Sequence, residues 1–220
     1  MIKIKNLGEG NSVINNFISE LRNVDIQNDR FRFRKNLERL GEIFAYEISK
    51  TLEYKSETIV TPLGSLEMNV LKEQPVLATI LRAGLPMHQG FLNIFDKADN
   101  SFIAAHRKYD KNENYDINIE YYSTADFNDK VLVVIDPMLS TGESLVRCLN
   151  DLVSDDMMPK EIHVANVLAS RDGIEYLNRS LNHLNITVWV GAIDEELTAK
   201  AYIVPGLGDA GDLAYGRKEK

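Results

Sequence analysis

The sequence predicts an α/β fold, a mostly parallel sheet flanked by helices, from three observations. From Val76 onward, apolar runs and helical patterns alternate: Val76–Ile80, a helix near Pro86–Phe95, Ser101–Ala105, Val131–Ile135, a helix, Ile162–Leu168, a helix, then Ile186–Val190. Val131-Leu-Val-Val-Ile135 is continuously apolar, as a strand covered on both faces requires. Loops rich in glycine, hydroxyl or arginine follow several of these runs, at the carboxyl ends where open parallel sheets bind ligands.

Ahead of the alternation, Met1-Ile-Lys-Ile-Lys5 predicts a short strand. Val13, Ile14, Phe17, Ile18 and Leu21 keep helical spacing behind Asn11 or Ser12, either of which suits an N-cap. Phe33, Leu37, Leu40, Phe44 and Ile48 mark a longer amphipathic helix. Arg30, Arg32, Arg34 and Lys35 cluster at its start, against the helix dipole, and read as a solvated face or a subunit contact. Glu57-Thr-Ile-Val-Thr and Ser65-Leu-Glu-Met-Asn-Val flank Pro62-Leu-Gly64 and predict a β-hairpin arm over 57–71. The stretch Lys108 to Asp116 is polar and aperiodic after a strand, so it reads either as a loop that closes over a site or as plain surface. The glycine-dense Tyr202-Ile-Val-Pro-Gly-Leu-Gly-Asp-Ala-Gly-Asp212 must bend closely around something, and 192–216 is expected to form a hood. With no internal repeat or linker, 1–220 reads as one domain.

A net charge of −8 and a pI near 5.1 give no global support for docking on nucleic acid or anionic membrane. No apolar run approaches the roughly 20 residues that cross a bilayer, and no secretory leader pattern opens the chain. The single cysteine, Cys148, lies on a helix's apolar stripe and reads as a core residue. These features make the cytoplasm the expected location.

The segment Val131 to Leu152 reads as strand, anion-binding loop, helix. Ser140, Thr141, Gly142 and Ser144 stand where backbone N–H groups and a helix N-terminus surround a phosphate, and Asp136 is placed to accept from hydroxyls. Arg82 and Arg107 follow two other strands, a pair suited to several negative charges. Gly206-Leu-Gly208-Asp-Ala-Gly211 matches the letters of a dinucleotide fingerprint. Only nine residues follow, however, and the acidic ribose ligand is expected about 20 residues on, so that reading is set aside. Glu143 after Gly142 likewise departs from a Gly-Lys-Ser/Thr phosphate loop. His88, His106, His163 and His183 lack metal-ligand spacing and read as structural or surface residues.

Asp136-Pro-Met-Leu-Ser-Thr-Gly-Glu-Ser144 resembles the phosphoribosyl pyrophosphate signature of the uracil phosphoribosyltransferases. Ile80-Leu-Arg-Ala-Gly84 resembles that family's pyrophosphate loop, and Tyr202 to Asp212 its base-binding segment. The resemblance implies the type I phosphoribosyltransferase fold and transfer of the 5-phosphoribosyl group from phosphoribosyl pyrophosphate to N1 of uracil. It implies that Arg82, Arg107, Asp136, Pro137, Met138, Leu139, Ser140, Thr141, Gly142, Glu143, Ser144 and Asp209 bind phosphoribosyl pyrophosphate. Tyr202, Ile203, Gly208, Asp209 and Ala210 would meet uracil, mainly through backbone groups. Asp209, Arg107 and Arg82 are the candidate catalytic residues, with Mg²⁺ carried by the substrate's pyrophosphate rather than by a dedicated protein site.

A homodimer or higher homo-oligomer is implied, the hairpin resembling the family's dimerisation arm, with uracil and phosphoribosyl pyrophosphate as small-molecule partners. The chain departs from the family at Ser140, where alanine is usual, and at Glu143, where glycine is usual and a carboxylate adds repulsion near a phosphate. It departs again at Leu213-Ala-Tyr215, where a basic and aromatic run is usual, and at His106. Glu143 favours one competing reading, a pyrimidine-sensing regulatory protein that keeps the fold and the ligand site.

Overall fold

The computed structural model describes residues 1–109 and 115–217, with the side chains of 105–122 outside the description. The elements are β1 (Lys3–Asn6), α1 (Val13–Arg22), α2 (Arg30–Ser49), β2 (Tyr54–Thr61), β3 (Gly64–Leu71), β4 (Val76–Leu81), α3 (Gly84–Ile94), β5 (Asn100–Tyr109) and β6 (Tyr115–Ser123). There follow β7 (Val131–Ile135), β8 (Met138–Leu139), α4 (Glu143–Leu152), β9 (Glu161–Ser170), α5 (Arg171–Ser180), β10 (Ile186–Asp194), β11 (Glu196–Leu197), β12 (Ile203–Val204) and α6 (Ala210–Tyr215).

The main sheet runs β1-β10-β9-β7-β4-β5-β6, with β8 also paired to β9. Every pairing in it is parallel except β5 with β6. After β4 the chain adds β5 on one side, then returns to lay β7 on the other. The order therefore reverses between β4 and β7, the switch point where parallel sheets open a crevice beyond their carboxyl ends. Arg82 and Asp136 leave the sheet on either side of that crevice.

Two hydrophobic clusters cover the sheet. Leu21, Leu37, Phe44, Met87 and Phe91 pack on one face, where the stripe of α2 expected at Phe33, Leu37, Leu40, Phe44 and Ile48 is buried throughout. Leu145, Leu149, Ile174 and Leu177 pack on the other. Cys148 lies in this second cluster, its thiol pushed up to about 12 by burial first and by Asp136 and Asp151 second, a core residue rather than a nucleophile. Ser12 is the N-cap of α1, accepting from Ile14 N–H at 3.3 Å. His163 is buried and accepts at Nδ1 from Trp189 Nε1 at 3.0 Å, which gives it a structural place. Among the described residues no helix is long and apolar enough to cross a membrane.

Two expectations change. The polar stretch Lys108 to Asp116 is strand at both ends, where β5 and β6 pair antiparallel out to Lys108 with Asp116 and Tyr109 with Tyr115, while 110–114, on which the loop expectation falls, lie outside the described residues. Tyr115, Ile117, Ile119 and Tyr121 alternate with polar residues at strand period, a signal that the run of charges before them hides. The arm is real but longer than 57–71, with Tyr54 facing Leu71 and Thr61 facing Gly64.

Candidate active site

The phosphate-type loop is built as its sequence demands. β7 delivers Asp136, whose N–H donates to Ala165 O at 3.2 Å and whose carbonyl accepts from Asn166 Nδ2 at 2.6 Å. Its carboxylate Oδ1 faces Met138 N at 3.4 Å, so the side chain folds back over the loop's start. Pro137 and Leu139 are buried, Leu139 as a member of the core, so their side chains serve packing. Met138 and Leu139 add a short strand beside β9, opposite Leu168 and Ala169.

Gly142 then turns the chain into α4 as its N-cap with φ 81°, and a Cβ there would lie 2.9 Å from Gly173 O. Glu143 opens the helix, its N–H 3.4 Å from Thr141 Oγ1 and its side chain half-buried. In the first turn a carboxylate suits the helix dipole, which supplies a structural reason for an acidic residue inside a phosphate loop.

Ser170 braces the loop from beneath, and the sequence reading missed it. Its buried hydroxyl donates to Ser140 O at 2.6 Å and accepts from Gly173 N–H at 2.8 Å, capping α5. A serine closing an apolar strand run just before a helix was the available signal. Ser140 uses its own hydroxyl to donate to Ala201 O, so the loop is tied to the turn before Tyr202.

Arg82 follows β4, and the Leu81–Arg82 peptide is cis. Its Nη2 donates to Asp212 Oδ1 at 2.9 Å and to Gly216 O at 3.2 Å, while Nε is buried with no acceptor among the described residues. The expected pyrophosphate residue thus grips the hood helix α6. The side chains of Arg107 and His106 lie outside the described residues; the Arg107 backbone pairs with Ile117 in the β5–β6 ribbon.

The hood begins at the end of β10. β11 and β12 pair antiparallel, Glu196 with Val204 and Leu197 with Ile203. Ile203 and Ala210 are buried with Leu207 and Ala214 in the core cluster that also holds residues of α1 and α2, so their side chains serve packing. Tyr202 is exposed, and a Cβ built on Gly208 (φ 94°) meets no atom within 4 Å. Asp209 caps α6, accepting from Asp212 N–H at 2.8 Å, and is otherwise exposed. The glycine fingerprint therefore opens a helix after all, but one of six residues.

In the basic cluster on α2, Arg30 and Arg32 are exposed, as the solvated-face expectation has it, and Arg34 makes an additional contact with the hood. Arg34 Nη1 donates to Ala214 O at 2.7 Å, with its guanidinium 5.9 Å from the Tyr215 ring. A Cβ on Gly216 would lie 3.2 Å from Arg30 Nη2. Arg32 turns the other way and pairs with Glu20 at 2.7 and 2.8 Å, holding that carboxyl down to about 2, with Asn36 the second cause. Arg30 and Arg34 face α6, and α2 is the shelf on which the hood rests.

Residues 9–217 match the family model described as uracil phosphoribosyltransferase. The chain belongs to the uracil phosphoribosyltransferase family. A uracil phosphoribosyltransferase of Porphyromonas gingivalis is 50% identical over 217 residues, covering 99% of this chain and 100% of its own. That of Pyrococcus furiosus is 35% identical over 215 residues, covering 96% and 90%. Among solved structures, that of the AQ2163 protein from Aquifex aeolicus superposes with a TM-score of 0.85 at 28% identity, covering 97% of this chain and 98% of the other. The fold is that of the type I phosphoribosyltransferases, and nothing in the comparisons favours the regulatory alternative.

Proposed function

We infer that this chain transfers the 5-phosphoribosyl group from phosphoribosyl pyrophosphate to N1 of uracil, giving uridine 5′-monophosphate and pyrophosphate. The carrying observation is the arrangement of three segments around one crevice: a phosphate-type loop after β7, an arginine after β4, and a glycine-bent hood held over the sheet's carboxyl end.

In this reading the N–H groups of Thr141 to Ser144 and the α4 N-terminus take the 5′-phosphate, and Asp136 takes the ribose hydroxyls. Main-chain groups near Ile203, Gly208 and Ala210 read the donor and acceptor edges of uracil. Positive charge develops at ribose C1 as the leaving group departs, so catalysis consists of holding uracil N1 in line and stabilising pyrophosphate, with no covalent enzyme intermediate.

Arg82 is suited to the leaving group. Both two-pronged edges of a guanidinium use an Nη2 hydrogen, and Nη2 of Arg82 already donates to two acceptors, Asp212 in α6 and Gly216 at its C-cap. Bidentate pyrophosphate binding therefore takes Arg82 from Asp212 or Gly216, and through the Nε–Nη2 edge it also gives the buried Nε an acceptor. Arg107 is proposed as the second pyrophosphate arginine.

A magnesium ion fits this site as a passenger of the substrate. Its natural ligands are oxygens, it retains waters, and Asp209 offers an exposed carboxylate with one oxygen committed to Asp212 N–H. When bound, it would offset charge on the leaving pyrophosphate. Among the described residues no group of three or more His, Cys, Asp or Glu is placed to hold a metal alone.

We also propose that β2–β3 is the arm of a homodimer. A two-stranded ribbon is marginal alone, and this one leaves Val60, Leu63, Leu66 and Met68 exposed.

The reaction is tested by incubating purified protein with phosphoribosyl pyrophosphate, Mg²⁺ and, separately, uracil, orotate or hypoxanthine. Uridine 5′-monophosphate is expected from uracil, with little product from the others. A folded protein that makes none would overturn the reading.

A further inference from the structure

We propose that Arg22 and Asp194 act as a positioning pair that sets selectivity for the base, a role that rests on the reading of residues 202–210 as the uracil segment. The pair grips both backbone groups of a single residue. Arg22 Nη1 donates to Gly206 O at 3.0 Å, and Gly206 N–H donates to Asp194 Oδ2 at 3.0 Å. It is closed on itself by a fork of hydrogen bonds, Nη1 to Oδ2 at 2.7 Å and Nη2 to Oδ1 at 2.8 Å.

Each partner stands on a rigid element. Arg22 is the last residue of α1, where a cation also meets the helix dipole favourably, and Asp194 is the last residue of β10. Asp194 is only 7% exposed, so its charge is held by these contacts rather than by water.

Gly206 is the pivot of the base segment. Tyr202 and Ile203 lie before it; Gly208, Asp209 and Ala210 lie after it. Its φ is 55°, and a Cβ would sit 2.1 Å from Ile203 O, so the chain doubles back tightly there. Fixing the N–H and C=O of this residue fixes how the two halves of the segment face each other. A base read by main-chain groups depends on that spacing to within about 0.5 Å. Where each polar group of the base has one matched partner, an analogue lacking a partner leaves a backbone group unpaired, and discrimination follows from rigidity. Loosening the pivot lets the segment adjust to the wrong base and weakens its hold on the right one.

The test uses Arg22→Met, which keeps an unbranched apolar stem, and Arg22→Lys, which keeps the charge but not the fork. Steady-state kinetics with uracil and with 4-thiouracil give two readouts. In Arg22→Met the KM for uracil is expected to rise about tenfold and the preference for uracil over 4-thiouracil, as a ratio of kcat/KM, to fall about threefold. The KM for phosphoribosyl pyrophosphate should stay within about twofold, with Arg22→Lys intermediate.

An unchanged uracil KM and an unchanged ratio in both folded variants would overturn the pair's role. So would a parallel rise in both substrates' KM, which marks general loosening. If Arg22→Met does not fold, Arg22→Lys decides by the same two readouts. Gly208→Ala separates the underlying reading, because at φ 94° it strains the segment's own backbone while its methyl meets no atom within 4 Å. If it raises uracil KM while the Arg22 variants do not, the pair has no role and the segment keeps its own. If it leaves uracil KM unmoved, the assignment of the segment falls, and the pair's role with it.

Discussion

The Asp136–Ser144 loop and the Tyr202–Gly216 hood hold their backbones by opposite means. The first is nearly self-contained: nine consecutive residues from Asp136 to Ser144 run from strand to helix, braced by Ala165, Asn166 and Ser170, all on the neighbouring strand. The second is held mainly from far along the chain, by Arg22 at Gly206, Arg34 at Ala214 and Arg82 at Asp212 and Gly216, with Asp194 closing on Gly206 from the end of β10. A loop between a sheet strand and a helix inherits its rigidity from them. A glycine-rich excursion off the sheet edge has no such frame, and charged side chains reaching across the fold supply one. The loop should thus fail through backbone geometry and the hood through charge.

The sharpest break is expected at Arg82, which grips the hood and is proposed to bind the pyrophosphate. Arg82→Gln keeps an amide donor but removes the charge and the fork; kcat/KM for phosphoribosyl pyrophosphate should fall by about 10²- to 10³-fold in initial-rate assays. Next comes Gly142→Ala. With φ at 81° and Gly173 O 2.9 Å from the new Cβ, the left-handed turn costs about 1–2 kcal/mol, and KM for phosphoribosyl pyrophosphate should rise about tenfold with uracil KM less affected. A uracil KM that moved equally would erase the distinction between the two regions.

Ser170→Ala removes the cap of α5 and the bond to Ser140 O. Unfolding in urea should reveal a loss of about 1–2 kcal/mol, and an unchanged midpoint would deny the brace. A pH effect follows for the contact between α1 and α2. Arg32 and Asn36 hold the Glu20 carboxyl at about 2, below its usual 4.5, so its stabilising contribution is present above about 4.5 and is lost as pH falls toward 2. The stability difference between wild type and Glu20→Gln should accordingly shrink across that interval in acid titrations followed by circular dichroism. The smallest effect belongs to Glu143→Gly, for which phosphoribosyl pyrophosphate binding should be unchanged or tighter by calorimetry, because a carboxylate at the helix start repels phosphate only weakly when solvated. Weaker binding would make Glu143 a contributor to the site.

Legibility followed the same division. The strand Val131–Ile135 and the turn at Gly142 were readable because each residue's partners are its sequence neighbours or the sheet they belong to. The buried stripe of α2 was readable because helical period is a local property. β6 was concealed only by the polar run before it. The roles of Arg22, Arg30 and Arg34 were not readable at all: an arginine at a helix end looks alike whether it faces water or a backbone carbonyl 180 residues away.

The alternation of strands and helices, the loop after Asp136, the glycine-dense turn segment and, through three ordered motifs, the family are all written in neighbouring residues. Periodicity, turn chemistry and motif spacing are properties of neighbouring residues, and they survive without a fold. That Arg82 grips α6, that Arg22 and Asp194 clamp Gly206, and that Ser140 reaches Ala201 emerges with the folded chain. Those contacts join residues separated by 12 to 184 positions along the chain, and their partners are chosen by which helix the sheet brings within reach.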